Sequence, residues 1–142
     1  MKKIAFIVGV TGQDGSYLSS FLIQKNYKVF GFSRNLKKKN LQKLQTMQVL
    51  NQVNLIEYNE NNPKIILKKI KQYKPREIYY FSGQSSVGKS FFNPIETYSS
   101  NINLLFYILE FCKNNLKNTN IYNSCSTDCF GDNKKIFCDE KT

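Results

Sequence analysis

Several residue types and sequence features are absent from this 142-residue chain, and each absence argues against one kind of site or one class of protein. There is no histidine, and the four cysteines form no Cys-x-x-Cys pair, so a common zinc site lacks its ligands. We therefore expect free thiols and no metal site. No apolar run approaches the roughly 20 residues of a membrane span, and no small-residue cleavage site follows the first residues. These absences favour a soluble, cytoplasmic protein without a membrane partner.

Acidic residues are few, with 10 aspartates and glutamates against 21 lysines and arginines, giving a net charge of +11. A charge of this size is typical of some nucleic-acid-binding proteins. The lysines, however, are spread along the chain rather than gathered with aromatic residues, which favours a solvated basic surface. We predict no nucleic-acid partner, and the anionic partner that we expect is a dinucleotide.

Strand-like and helix-like segments alternate along a chain whose 41% hydrophobic content is sufficient for one buried domain. The continuous apolar run Ile4–Val8 is typical of a central parallel strand that is buried on both faces. Further strands are predicted at Lys28–Phe32, Val53–Tyr58, Glu77–Phe81 and Asn120–Asn123. Helices are predicted between them, from Gln13 to Asn26, from Pro63 to Lys74 and from Ile95 to Leu109. The alternation predicts an α/β fold with a doubly wound parallel sheet of the Rossmann type.

The spacing of apolar residues also predicts which helix faces are buried. In the first helix the predicted face consists of Tyr17, Leu18, Phe21 and Leu22. In the longest helix it consists of Ile95, Tyr98, Ile102, Leu105, Phe106 and Leu109.

A glycine-rich loop follows the first strand, and its residues are Gly9-Val10-Thr11-Gly12-Gln13-Asp14-Gly15. Glycine at the turn lets the backbone approach a pyrophosphate, and the helix that follows offers unpaired N–H groups at its positive end. Placed between a buried strand and a helix, the loop predicts a dinucleotide site. A tight turn that binds no ligand is the alternative.

The end of the second strand has no acidic residue, although an NAD site usually has one there to hold the ribose 2′-hydroxyl. Arg34 follows this strand instead. Its guanidinium fits a 2′-phosphate through paired hydrogen bonds, which indicates NADP as the cofactor. A surface arginine without a ligand is the alternative.

Small polar residues also follow the fourth and fifth predicted strands, at Ser82–Ser86 and Ser124–Asp128. Because the carboxyl ends of parallel strands meet at one edge of a sheet, we expect both loops to lie beside the glycine-rich loop, which we call the phosphate loop.

Three parts of the chain resemble the GDP-mannose 4,6-dehydratases, members of the extended short-chain dehydrogenase/reductase superfamily. They are Gly9–Leu18, Ile78–Val87 together with Ser90–Pro94, and Tyr122–Gly131. The resemblance implies an NADP-dependent lyase of nucleotide-sugar metabolism. In such an enzyme the cofactor oxidises C4 of the mannosyl group, water leaves across C5 and C6, and hydride returns to C6, giving GDP-4-keto-6-deoxymannose. It also implies a homo-oligomer.

The resemblance further implies roles for individual residues. Ser126 takes the place of the Ser/Thr that hydrogen-bonds the 4-hydroxyl of the sugar, and Asp128 that of the glutamate that handles the C5 proton and the departing water. A carboxylate suits this step because C5 becomes acidic once C4 is a ketone. A loop or helix cap without a catalytic role is the alternative for these residues.

The remaining implied contacts concern the cofactor and the substrate. Beyond the glycine-rich loop and Arg34, the implied cofactor contacts are Asn59, Phe81, Ser82, Gly83, Gln84 and Ser85. Ser86 and Ser90 are the implied substrate contacts. Asn59 stands at the position of a family aspartate that contacts the adenine, and Glu60 replaces the leucine that follows it.

The Tyr-x-x-x-Lys pair of the family is missing, since none of the nine tyrosines has a lysine four positions later. The family tyrosine mediates proton removal during hydride transfer, and the resemblance places this pair beyond Thr142. We therefore interpret residues 1–142 as an incomplete NADP-binding Rossmann domain, truncated before the carboxyl-terminal substrate domain, with negligible turnover alone. Another NAD(P)-dependent nucleotide-sugar epimerase or dehydratase, or a non-catalytic dinucleotide-binding module, remains the alternative.

Overall fold

The computed structural model of the chain describes residues 2–59, 61–126, 130–131 and 137–139. Its strands are β1 (Ile4–Val8), β2 (Lys28–Ser33), β3 (Asn54–Glu57), β4 (Glu77–Tyr80) and β5 (Asn120–Asn123). Its helices are α1 (Gln13–Gln24), α2 (Gln42–Thr46), α3 (Lys64–Tyr73), α4 (Val87–Phe92), α5 (Pro94–Tyr98) and α6 (Leu104–Asn115). A 3₁₀ turn at Lys38–Asn40 precedes α2, and a π-helical turn at Ser99–Asn103 joins α5 to α6. No helix in these described ranges is long and apolar enough to cross a membrane.

The five strands form one sheet in the order β3-β2-β1-β4-β5, and every neighbouring pair is parallel. This confirms the predicted α/β fold of the Rossmann type. Strand β3 is one residue shorter at each end than predicted, and Val53 and Tyr58 lie outside it. The order of the strands reverses between β1 and β4, and ligands of such sheets bind beyond the carboxyl ends of the strands at this point.

Each face of the sheet buries its own apolar cluster. Phe6 and Val8 of β1 belong to the cluster that also contains residues of α3 and α6. Ala5 and Ile7 point to the other face, where they pack with residues of α1 and α2. All four are fully buried, which explains why β1 is a continuous apolar run rather than an alternating one.

Half of the predicted buried face of α1 is confirmed, because Leu22 is buried and Leu18 packs against the same apolar cluster. Tyr17 and Phe21 are exposed at 59% and 53%. The residues that α1 buries are Gly15, Ser16, Ser19 and Leu22. A Cβ atom at Gly15 would lie 2.5 Å from the carbonyl oxygen of Gly9, so α1 lies too close to the turn that follows β1 for a side chain at this position. The spacing was wrong for Tyr17 and Phe21, because the small residues Gly15, Ser16 and Ser19 occupy the remaining buried positions of α1.

The long helix predicted from Ile95 to Leu109 is interrupted by the π-helical turn. The buried residues of α6 are Leu104, Ile108 and Cys112, and Leu105 packs against the same apolar cluster as they do. The other residues of the predicted face are exposed, namely Ile95, Tyr98, Ile102, Phe106 and Leu109. Apolar residues surround most of α6, so their spacing alone selects no single face.

A hydrogen-bonded group of two tyrosines and a glutamate lies at the start of β4. The Glu77 carboxylate accepts hydrogen bonds from the hydroxyls of Tyr27 (3.0 Å) and Tyr79 (2.9 Å). Burial and then the bond to Glu77 raise the pKa of Tyr79 to about 12. The pKa of Tyr27 is also raised, chiefly by its own bond to Glu77.

These tyrosines predict a loss of stability at alkaline pH. A tyrosine whose pKa is higher in the folded state stabilises the fold below its unfolded pKa of about 10, and this contribution disappears as the pH rises through the folded pKa. We expect the free energy of unfolding in urea to fall between pH 10 and pH 12 because of Tyr79. Tyr79→Phe should reduce this fall, whereas Tyr122→Phe, a change at an exposed tyrosine, should not. Equal pH profiles for the two variants would contradict the prediction.

Candidate functional site

The loop between β1 and α1 begins at a position that only glycine fits. Gly9 has φ +89°, and a Cβ atom there would lie 2.9 Å from the carbonyl carbon and oxygen of Phe81. Its N–H donates to the carbonyl of Phe32 (2.9 Å), and the Phe81 N–H donates to the carbonyl of Val8 (2.8 Å). The loop is therefore held against the ends of both β2 and β4.

The amino end of α1 is open at the same edge of the sheet. Gly12 is the N-cap in an extended conformation, and no side chain in the described part of the chain caps it. Gln13 and Asp14 in the first turn are exposed. The side chain of Val10 is instead buried against Gly31, and its N–H donates to the carbonyl of Phe32 at 3.3 Å, so both are already engaged within the fold. First-turn N–H groups at the positive end of a helix suit an anion such as a phosphate.

The end of β2 is joined to the phosphate loop by side chains. Ser33 is nearly buried, and its Oγ lies 3.0 Å from Thr11 Oγ1. Arg34 follows and is exposed. It lines two clefts, one on the β3 side and one on the α4–α5 side, so its side chain lies between them.

The larger cleft has a volume of about 480 Å³ and opens beyond β2 and β3. Its lining residues are Arg34, Glu57, Tyr58, Asn59, Asn61 and Ile65. The Tyr58 hydroxyl lies 2.9 Å from Ser82 Oγ, which connects this cleft to the loop after β4. The Asn59 Oδ1 atom accepts the Asn61 N–H at 2.9 Å, so the amide N–H groups are what Asn59 offers to a ligand. The cleft is within the usual size range of small-molecule sites.

The loop after β4 is held mainly by its own side chains. Gln84 Nε2 donates to the carbonyl of Ser86 (2.8 Å), and Gln84 Oε1 accepts the Ser86 N–H. Ser90 Oγ donates to the carbonyl of Val87 (2.6 Å), and Ser85 is exposed. A smaller cleft of about 140 Å³ lies beside this loop. Its lining residues are Arg34, Gln84, Lys89, Asn93, Glu96, Thr97 and Ser100.

Two further residues of this loop approach neighbouring elements. Gly83 packs against Asn101, whose Oδ1 would lie 2.1 Å from a Cβ atom at that position. The Phe81 ring lies beside that of Tyr122 on β5, with centroids 5.9 Å apart.

The loop after β5 lies at the same edge of the sheet. The Ser124 N–H donates to the carbonyl of Tyr80 at 3.2 Å, and Ser126, two residues further, is exposed. Asp128 lies outside the described residues, so its role beside Ser126 stays a prediction. Cys112 and Cys125 are free thiols, and no group of three metal-binding side chains occurs among the described residues.

Sequence reasoning missed three charged residues that line the clefts, Glu57, Lys89 and Glu96. Lys89 belongs to a Gly-x-x-x-x-Gly-Lys-Ser spacing from Gly83 to Ser90, which between a strand and a helix is typical of a phosphate loop. In the structure Gly88, Lys89 and Ser90 lie within α4, and the Oγ of its N-cap Ser86 accepts the Lys89 N–H at 3.5 Å. The only sequence signal for Glu57 is a charge at the end of a strand.

Comparison with known proteins identifies the family. The family model for GDP-mannose 4,6 dehydratase matches residues 6–142, which is nearly the whole chain. The chain belongs to the GDP-mannose 4,6-dehydratase family. This confirms the resemblance seen in the glycine-rich loop and in the segments after β4 and β5.

Individual members of the GDP-mannose 4,6-dehydratase family agree with this assignment. The enzyme of Vibrio cholerae is 41% identical over 99 residues, which cover 66% of this chain and 27% of that protein. The human enzyme is 35% identical over 100 residues, which cover 63% of this chain and 26% of that protein. The match thus spans about a quarter of the length of these relatives.

Solved structures support the fold. UDP-glucose 4-epimerase from Bifidobacterium longum, in complex with NAD⁺ and UDP, superposes with a TM-score of 0.81 at 20% identity and covers 98% of this chain and 42% of that chain. UDP-glucose 4-epimerase from Brucella ovis, in complex with NAD, gives a TM-score of 0.74 at 17% identity, over 91% and 37% of the two chains. At these identities the likeness concerns the Rossmann-type fold alone.

Proposed function

We propose that this chain is the NADP-binding part of a GDP-mannose 4,6-dehydratase, a lyase that converts GDP-mannose to GDP-4-keto-6-deoxymannose. Family membership supports the reaction, and the loop from Gly9 to Gly15 supports the dinucleotide. Bound NADP supplies the hydride acceptor and donor for the internal redox chemistry. The proposal includes a cytoplasmic location and a homo-oligomeric full-length enzyme, as is usual for enzymes of this kind.

The observation that carries the proposal is the geometry of the phosphate loop. Gly9 adopts a left-handed conformation against Phe81, and Gly15 permits close contact between α1 and the turn that follows β1. Gly12 lies between them at the open end of the helix. These are the three tasks that glycines perform in dinucleotide-binding loops, namely the tight turn, the approach to the pyrophosphate and the packing of helix on strand.

The remaining residues take roles around this loop. The cleft beside Arg34 and Asn59 receives the adenosine, with the guanidinium at the 2′-phosphate and the Asn59 amide at the base. Ser82 to Ser85 line the path towards the nicotinamide, and Ser86 and Ser90 meet the substrate. Ser126 hydrogen-bonds the 4-hydroxyl of the sugar, and Asp128 removes the C5 proton once C4 is a ketone.

Dinucleotide binding by the purified 142-residue chain tests the proposal. Calorimetric titrations with NADP and with NAD should give tighter binding of NADP. Arg34→Ala should weaken NADP binding by roughly 10- to 100-fold, because a charge-assisted pair is lost, and should leave NAD binding nearly unchanged. Lys113→Ala, a change at an exposed cation on α6, is the control. If Arg34→Ala binds NADP with unaltered affinity, Arg34 does not contact the 2′-phosphate.

A further inference from the structure

A carboxylate and a guanidinium border the same cleft at the ends of β2 and β3. Glu57, the last residue of β3, pairs in register with Ser33, the last residue of β2. Arg34 is the first residue after β2. Both charged side chains line the cleft of about 480 Å³. Glu57 Oε2 also accepts a hydrogen bond from the N–H of Leu36 at 3.2 Å, so the carboxylate lies over the loop that carries Arg34.

We propose that Glu57 sets the cofactor specificity of this cleft together with Arg34. Its carboxylate accepts hydrogen bonds from the ribose hydroxyls of NAD and repels the 2′-phosphate of NADP. Glu57 therefore limits the preference for NADP that Arg34 provides. This inference rests on the proposed function, because it requires the adenosine ribose to lie in this cleft.

The position of Glu57 explains why a carboxylate is available although β2 ends without one. In NAD sites of this fold the acidic residue usually stands at the end of β2. Adjacent strands lie about 4.8 Å apart, so a glutamate at the end of β3 delivers its carboxylate to the same loop from the neighbouring strand. The side chain is exposed, so the repulsion of a phosphate is moderate and depends on the salt concentration.

Two variants separate the charge of Glu57 from its contact with the loop. Glu57→Gln retains an oxygen that accepts the Leu36 N–H and removes the charge, whereas Glu57→Ala removes both. In Glu57→Gln we expect the ratio of the Kd for NAD to the Kd for NADP to rise roughly tenfold, the order of magnitude for one like charge near a surface. The gain in NADP affinity should shrink as the salt concentration rises.

Glu110→Gln is the matched control, since Glu110 is a partly exposed carboxylate on α6 that pairs with Lys113 at 3.9 Å. It should leave the ratio unchanged. If Glu57→Gln and the unsubstituted chain both bind dinucleotides with the same ratio of the Kd for NAD to the Kd for NADP, the inference is overturned. The proposed function would remain intact. A change of this ratio in Glu57→Ala but not in Glu57→Gln would also overturn the inference. The hydrogen bond from the Leu36 N–H, rather than the charge, would then determine the ratio. If the unsubstituted chain bound neither dinucleotide, both the inference and the proposed function would fail.

Discussion

Replacing Gly15 with alanine is expected to lower the free energy of unfolding by about 2–3 kcal/mol, the range for overpacking of a tight contact. The new Cβ atom would lie 2.5 Å from the carbonyl oxygen of Gly9 and 2.8 Å from the Cα of Val10. Both are backbone atoms that no rotamer change can move, so α1 has to shift away from the turn that follows β1. The higher helix propensity of alanine offsets this by at most about 1 kcal/mol.

The same substitution at Gly88 is the control for Gly15→Ala. Gly88 lies in α4, and a Cβ atom there would meet no atom within 4 Å. We expect Gly88→Ala to leave the free energy of unfolding unchanged or to raise it by up to about 1 kcal/mol. Urea unfolding followed by circular dichroism measures both variants. Equal stabilities would show that α1 does not make the close contact with Gly9 and Val10 that Gly15 permits.

The parts of the fold that follow from local pattern were predictable. The apolar run Ile4–Val8 identifies a strand buried on both faces, and the glycines after it identify the turn into α1. Five strands alternating with helices then restrict the architecture to a parallel sheet with helices on its faces. These predictions succeed because each depends on residues that are close together in the sequence.

The parts that depend on distant contacts were not predictable. The sheet contacts of α1 are small residues such as Ser16 and Ser19, whose burial depends on how closely the helix approaches β1. The buried face of α6 is decided by the sheet beneath it, since Leu104 and Phe106 are equally apolar but only the former is buried. Glu57 is close to the Arg34 loop only because β2 and β3 pair in register.

The site was predictable to the extent that its residues follow strands. Arg34 and Asn59 indeed line one cleft, although 25 positions separate them in the chain. The hydrogen bonds that hold Gln84 and Ser86 within their own loop were not foreseeable, because they depend on the path of the loop after β4. A ligand that uses these side chains has to compete with those bonds.

Replacing Gly12 with valine is expected to weaken dinucleotide binding roughly a hundredfold while the chain remains folded. Gly12 has φ −71°, which valine adopts, and a Cβ atom there would lie 3.1 Å from the carbonyl oxygen of Gly9. The branched side chain would hold a pyrophosphate away from the first-turn N–H groups of α1. Losing two charge-assisted hydrogen bonds of about 1.5 kcal/mol each weakens binding roughly a hundredfold, for NADP and NAD alike.

Three features of the experiment make the Gly12 prediction decisive. Urea unfolding establishes that Gly12→Val is folded under the conditions of the calorimetric titration. Gly12→Ala, whose single methyl group leaves more room, should lose less affinity than Gly12→Val. Arg34→Ala should affect NADP alone, whereas a change in the phosphate loop should affect both dinucleotides because both contain the pyrophosphate. Undiminished affinity of folded Gly12→Val for both dinucleotides would mean that the pyrophosphate does not lie on the loop from Gly9 to Gly15.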